Sequence, residues 1–65
     1  MINNIKELRK MQNLRQEDLA DKVNVTRQTI NAIENNKYDP TLELAMKLAS
    51  LLNTTVEDLF QLELK

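Results

Sequence analysis

No glycine occurs among the 65 residues of this chain, and proline occurs once. That constrains the backbone more than any other feature. Long irregular loops and glycine-rich phosphate cradles are not expected. A helix that must end on a left-handed residue has Asn as its next choice after Gly. A chain of this length is one small domain, residues 1–65. A core of that size gives only about 3–5 kcal/mol of net stability. Cysteine and histidine are also absent, which removes disulfides and the usual structural zinc sites. Helix packing or oligomerisation must supply the stability instead. The same absences remove thiol nucleophiles and histidine acid–base chemistry.

The apolar residues recur at helical spacing, and polar caps divide them into five segments. The first expected helix is IKELRKMQ, with Asn4 as its cap, Glu7 in a capping-box position and Asn13 as its stop. The second is QEDLADKV. Arg15 is a poor N-cap, but Glu17 and Asp18 favour the helix dipole and Leu14 with Leu19 can form a hydrophobic staple. Asn24 turns the chain. The third helix starts after Thr26 and ends near Asn35–Asn36. Asp39-Pro40-Thr41 makes a turn and a cap for the fourth, Leu42 to about Leu52, which Asn53 closes. Thr55 caps a short fifth, VEDLF.

The tail then changes period. Apolar and polar residues alternate from Phe60 to Lys65, the pattern of a half-buried strand. A strand over residues 61–65 needs a partner, either Met1-Ile2-Asn3 or the same tail of a second chain; the alternative is a frayed end. Helix four carries more apolar surface than one core requires. Leu42, Ala45, Met46, Leu48, Ala49 and Leu52 are expected to face inward. Leu44 and Leu51 extend the stripe outward, and with Phe60, Leu62 and Leu64 they form a candidate dimer surface or ordinary exposed leucines.

The connection between helices two and three, Lys22 to Val25, is short enough for a helix-turn-helix over about residues 16–35. Ala20 sits where the two helices must cross closely. With Arg27 set at 0° and about 100° per residue, Asn31 falls near 40°, Asn35 near 80° and Gln28 near 100°. Ile33 and Ile30 lie near 240° and 300° on the same scale, the buried side. The polar stripe spans about 12 Å of helix, a length that fits a major groove. Arg bonds guanine O6 and N7, and Gln or Asn bonds adenine N6 and N7. Glu34 falls between the two faces and needs a cation, for which Arg9 of helix one is the candidate.

Net charge is −1, but it divides: residues 1–38 carry seven Lys/Arg against five Asp/Glu, and the remainder is acidic. A DNA partner should therefore meet the N-terminal part. Asp18–Asp21 and Glu57–Asp58 are read as helix-start charges rather than a catalytic pair or a metal site. Neither an enzyme nor a cofactor or small-molecule ligand is expected. No apolar run is long enough to span a membrane and the N-terminus is not a signal peptide; with cysteine absent, a cytoplasmic location is expected.

Gln16-Glu17-Asp18-Leu19-Ala20-Asp21-Lys22-Val23-Asn24-Val25-Thr26, followed by Ile30 and Ile33-Glu34-Asn35, resembles the helix-turn-helix of lambda-repressor and Cro-like regulators, the XRE family. The resemblance covers nearly the whole chain. It implies an all-α, five-helix lambda-repressor-like fold whose third helix enters the major groove. It implies base contacts from Arg27, Gln28 and Asn31, and phosphate contacts from Gln16 and from Asn35, Asn36, Lys37 and Tyr38, with Arg15 and Thr26 beside them. Asn35 can equally be a helix cap, Lys37 a surface charge and Tyr38 a packing residue. The Arg9–Glu34 pair agrees with it. Asn24 and Asn36 stand where the family has glycine, and Asn is the tolerable substitute where φ is positive. Among stand-alone members, the chain is most similar to short dimeric repressors such as the cytolysin-operon repressor, whose ends pair as strands. The expectation is a homodimer on a palindromic DNA operator. The alternative is a protein-interaction module, an antitoxin or adaptor that uses the motif as scaffold.

Overall fold

The computed structural model describes residues 1–62. Among these the order is β1 (Ile2–Asn3), α1 (Ile5–Met11), α2 (Gln16–Lys22), α3 (Arg27–Glu34), α4 (Leu42–Leu51), α5 (Val56–Leu59) and β2 (Phe60–Gln61). The fold is five helices with a two-stranded ribbon. The strands run antiparallel, Ile2 opposite Gln61 and Asn3 opposite Phe60. Of the two partners open to the tail, the chain's own N-terminus takes the place. Leu64 lies outside the described residues.

Four helices end by one device. Asn13, Asn24, Asn36 and Asn53 have φ of 57°, 60°, 60° and 58°. Each lies one residue past its helix cap, so the next N–H turns back onto the last turn. Leu14, Val25, Lys37 and Thr54 donate to the carbonyls of Arg9, Ala20, Ala32 and Ala49, at 2.9–3.0 Å. This is the Schellman geometry, usually built on glycine. Here asparagine supplies the left-handed residue every time.

The starts are less uniform. Thr26, Thr41 and Thr55 accept from the backbone N–H of Thr29, Leu44 and Asp58 at 3.1–3.2 Å. Asn4 does not cap α1 with its side chain. Its backbone N–H bonds Leu59 and its amide bonds the Asp58 carbonyl, while Asn3 Oδ1 accepts from Ile5 N–H. The ribbon draws Asn4 toward α5, and the neighbouring asparagine takes over the cap. At α2, the Asp18 carboxylate accepts from Arg15 N–H at 2.9 Å, so the reciprocal half of a capping box compensates for Arg at the cap.

One core joins all five helices. Ile5, Leu19, Ile30, Ile33, Leu48 and Leu59 are fully buried, each stabilising by roughly 1.5–3 kcal/mol relative to exposure. Ala20 is buried where α2 meets α3, the most extensive contact between any two elements. Helix α4 is turned relative to the expected register. Leu44 is buried with Ala45, Leu48, Ala49 and Leu52, and Leu51 is half-buried, while Leu42 and Met46 are exposed. The apolar residues of α4 cover about 220° at 100° per residue, wider than one core contact, so periodicity alone leaves open which edge is buried. Leu44 is therefore packed in the core and does not extend outward as expected. Phe60 is also buried, because β2 closes over the core. Leu62 is exposed.

Candidate nucleic-acid interface

Helix α3 is held from below and open above. Thr26 fixes its first turn, and Ile30 and Ile33 anchor its inner face. Arg27, Gln28, Asn31 and Asn35 are all exposed on the opposite side. Thr29 is half-buried, its hydroxyl 3.1 Å from that of Thr26. It belongs to the turn and not to the stripe.

Glu34 lies between the two faces, and Arg9 meets it. Arg9 Nε donates to Oε2 at 2.8 Å and its Nη2 to Oε1 at 3.1 Å. The side chains are 9% and 3% exposed. The remaining arginine nitrogen donates to the Leu14 carbonyl at 2.9 Å, so one guanidinium joins α1, its C-terminal turn and α3. Charge-assisted, two-point pairing of this kind is strong and directional.

The network continues toward the surface, which the sequence did not foretell. Gln16 Nε2 donates to Glu34 Oε1 and to Asn31 Oδ1, both at 3.1 Å. Asn35 Nδ2 donates to the Asn31 main-chain carbonyl at 2.9 Å and to Asn31 Oδ1 at 3.2 Å. Five side chains, Arg9, Glu34, Gln16, Asn31 and Asn35, thus form a continuous line from core to stripe. Gln16 and Asn31 are 15 residues apart, and no periodicity within one helix could have joined them. Gln16 was expected at a phosphate. Its amide group is engaged by Glu34 and Asn31 here, so a phosphate contact from its side chain requires one of these bonds to be given up.

Gln16 also borders a shallow groove with Arg9, Arg15, Glu17 and Arg27, between the starts of α2 and α3. Arg15 is 74% exposed and lies 2.8 Å from Glu17 and 3.2 Å from Asp18. The side-chain hydrogen bond from Arg15, with its backbone N–H, holds the Asp18 carboxyl below its ordinary value, and the same hydrogen bond raises Arg15. Asn36, Lys37 and Tyr38 follow α3 and are exposed. Asn36 Oδ1 accepts from Asn3 at 3.1 Å, while Asn3 also donates to the Ile33 carbonyl at 2.8 Å. The ribbon thereby ties down the C-terminal end of α3. Tyr38 lines a second groove together with Thr29 and with Leu44 and Lys47 of α4.

Among the described residues, no group of acidic side chains is placed to hold a metal ion, and no helix is long and apolar enough to cross a membrane.

The sequence profile of the helix-turn-helix family matches residues 5–59. An HTH-type transcriptional regulator of Methanocaldococcus jannaschii, MJ0272, is 53% identical over 60 residues, covering 92% of this chain and 91% of that one. An HTH-type transcriptional regulator of Archaeoglobus fulgidus is 47% identical over 60 residues, covering 92% and 84%. The crystal structure of the restriction-modification controller protein C.AhdI from Aeromonas hydrophila superimposes with a TM-score of 0.78 at 30% identity, over 88% of this chain and 83% of that one.

Proposed function

The chain belongs to the helix-turn-helix family and is a transcriptional regulator, not an enzyme; from that premise we propose that it is a homodimeric repressor reading a palindromic operator. The observation that carries this reading is the stripe Arg27, Gln28 and Asn31, exposed on a helix whose other face is locked by Ile30, Ile33 and Glu34. Such a helix can enter the major groove without rearrangement. Arg27 and Gln28 have the donor and acceptor sets that match base edges. The backbone N–H groups at the start of α2, from Gln16 on and beside Arg15, with Thr26 at the start of α3 and the stretch Asn35 to Lys37, would meet phosphates and set the register, carrying no sequence information themselves. Tyr38 sits at the end of that stretch.

A two-fold dimer reads half-sites about one turn apart, roughly 34 Å. Bound there, the protein occludes a promoter, in the cytoplasm and without a cofactor. Leu51 and Leu62 remain on the proposed dimer surface, and exposed Leu42 and Met46 take the place of buried Leu44.

Selection of bound duplexes from a random-sequence library, followed by sedimentation of the complex, tests both parts. The expected result is an inverted repeat bound by two chains. Recovery of no preferred sequence would remove the operator, and a monomer at micromolar concentration would remove the dimer and the palindrome together.

A further inference from the structure

We propose that Asn31 reads guanine and discriminates against adenine, because its carbonyl oxygen is already engaged inside the protein. The proposal rests on α3 being the major-groove helix and adds what one of its residues recognises.

The orientation of the Asn31 amide follows from its neighbours. A guanidinium only donates and a carboxylate only accepts, so Arg9 fixes Glu34 as an acceptor. The Gln16 atom 3.1 Å from Glu34 Oε1 must then be its nitrogen. That same nitrogen lies 3.1 Å from the Asn31 side chain, which must present oxygen to it. A second route starts from the opposite end. The Asn35 atom 2.9 Å from the Asn31 main-chain carbonyl must also be nitrogen, since a carbonyl cannot donate. It lies 3.2 Å from the Asn31 side chain and again requires oxygen there. The two routes agree. Oδ1 has two lone pairs and receives two N–H groups, from two different helices or helix ends. Nδ2 of Asn31 has no hydrogen-bond partner among the described residues and lies on the exposed stripe.

An asparagine that recognises adenine uses both ends of its amide, nitrogen to N7 and oxygen from N6. Asn31 has only the nitrogen end to offer. Guanine presents two acceptors side by side, N7 and O6, and no donor at that edge. An NH₂ group suits guanine and leaves the adenine amino group without an acceptor. Gln16 and Asn35 are therefore positioning residues. They touch the reading residue rather than the base, and they decide which base it accepts.

The test is selection from a random duplex library with three proteins side by side. The native chain locates the operator, and Asn31→Ala locates the base pair whose preference relaxes. At that pair the native chain is expected to favour guanine over adenine by roughly tenfold or more. The double variant Gln16→Ala/Asn35→Ala frees Oδ1, and the ratio at that one pair is expected to move toward adenine by about the same factor. Because the readout is a ratio at one position, a general loss of affinity does not affect it. If the double variant fails to fold, Asn31→Asp serves. It keeps an oxygen for Gln16 and Asn35 and offers a second oxygen outward, so the preference should pass to cytosine, whose N4 donates. Adenine at the located pair in the native operator overturns the proposal, as does an unchanged ratio in the double variant. These outcomes leave the reading of α3 intact. A library that yields no sequence preference overturns that reading and this proposal with it.

Discussion

Arg9 and Glu34 lie 25 residues apart and meet through two hydrogen bonds of 2.8 and 3.1 Å. Both side chains are almost fully withdrawn from water. Two ions in that setting attract strongly, but each has lost its hydration. Removing one partner should therefore be far worse than removing both. Arg9→Leu is expected to destabilise by about 3–5 kcal/mol, because it leaves a buried carboxylate unpaired. That is comparable to the whole stability of a domain this small, so the variant should be largely unfolded at room temperature. Arg9→Leu/Glu34→Leu should recover most of the loss. Urea denaturation of the three chains checks the order. A double variant no better than the single would mean the pair is not the source of the cost.

Asparagine at the four helix ends has a measurable consequence. The left-handed conformation costs most L-residues about 1–2 kcal/mol, Asn less and Gly nothing. Asn24, with φ of 60°, is exposed and its side chain makes no hydrogen bond with the described residues. Asn24→Ala should lose about 1 kcal/mol, or roughly 4–8 °C in melting temperature for a domain of this size. Asn24→Gly should melt at or above the native temperature. If alanine were tolerated as well as glycine, the positive φ would not be what selects asparagine here.

These ends also show what was legible in the sequence. Caps, stops and staples are local, and local chemistry announces itself. Thr26, Thr41 and Thr55 cap as expected, and the four asparagines stop the helices they follow. The Arg9–Glu34 pair was legible because an acid between a core face and an open face requires a cation. The failures share a different cause. Asn4 lost its cap to bonds with Leu59 and with Asp58, the latter 54 residues away in the chain, beside the pairing of Asn3 with Phe60. Helix α4 has too many apolar residues for its moment to specify one face. The phosphate expectation at Gln16 is not among these failures, but the pattern did not contain its bonds to Asn31 and Glu34. Those bonds depend on where α2 crosses α3, which a one-dimensional pattern does not contain.

The rotation of α4 separates two leucines of equal size. Leu44 is 9% exposed and Leu42 is 70% exposed. Leu44→Ala should destabilise by about 2–3 kcal/mol through lost burial and a residual cavity. Leu42→Ala should stay within roughly 0.5 kcal/mol for the isolated chain. Chemical denaturation at low protein concentration distinguishes them. Equal effects, or a larger one at Leu42, would place the core on the other edge of α4.

Asp18 gives a pH dependence with a definite sign. The Arg15 side-chain hydrogen bond lowers its folded pKa below the ordinary 3.8. The unfolded chain therefore binds a proton more readily than the folded one. This contribution is complete above the unfolded value and is lost as pH falls through the folded value, that is, from about pH 4 downward. Both groups are at the surface, so the effect should be small and weakened by salt. Comparing the melting temperature of the native chain and Asp18→Asn between pH 6 and pH 3 isolates it. The gap between them should narrow on acidification, and a gap that widens would reverse the assigned sign.

Arg27 and Lys37 are both exposed cations near α3, yet they should fail differently. If Arg27 reads a base, Arg27→Ala costs about 1–3 kcal/mol on the selected operator and relaxes one position of the sequence. Lys37 follows the helix and faces the backbone in the proposed complex. Lys37→Ala should weaken binding to selected and random duplexes by the same factor. It should also reduce the salt slope by about one unit. The native slope should itself be shallow, because seven Lys/Arg share residues 1–38 with five Asp/Glu, and Arg9 and Arg15 are already paired. Fluorescence anisotropy across a salt series on both duplexes gives all of these values. A sequence-dependent loss from Lys37→Ala would move that residue into the groove, and a uniform loss from Arg27→Ala would move Arg27 out of it.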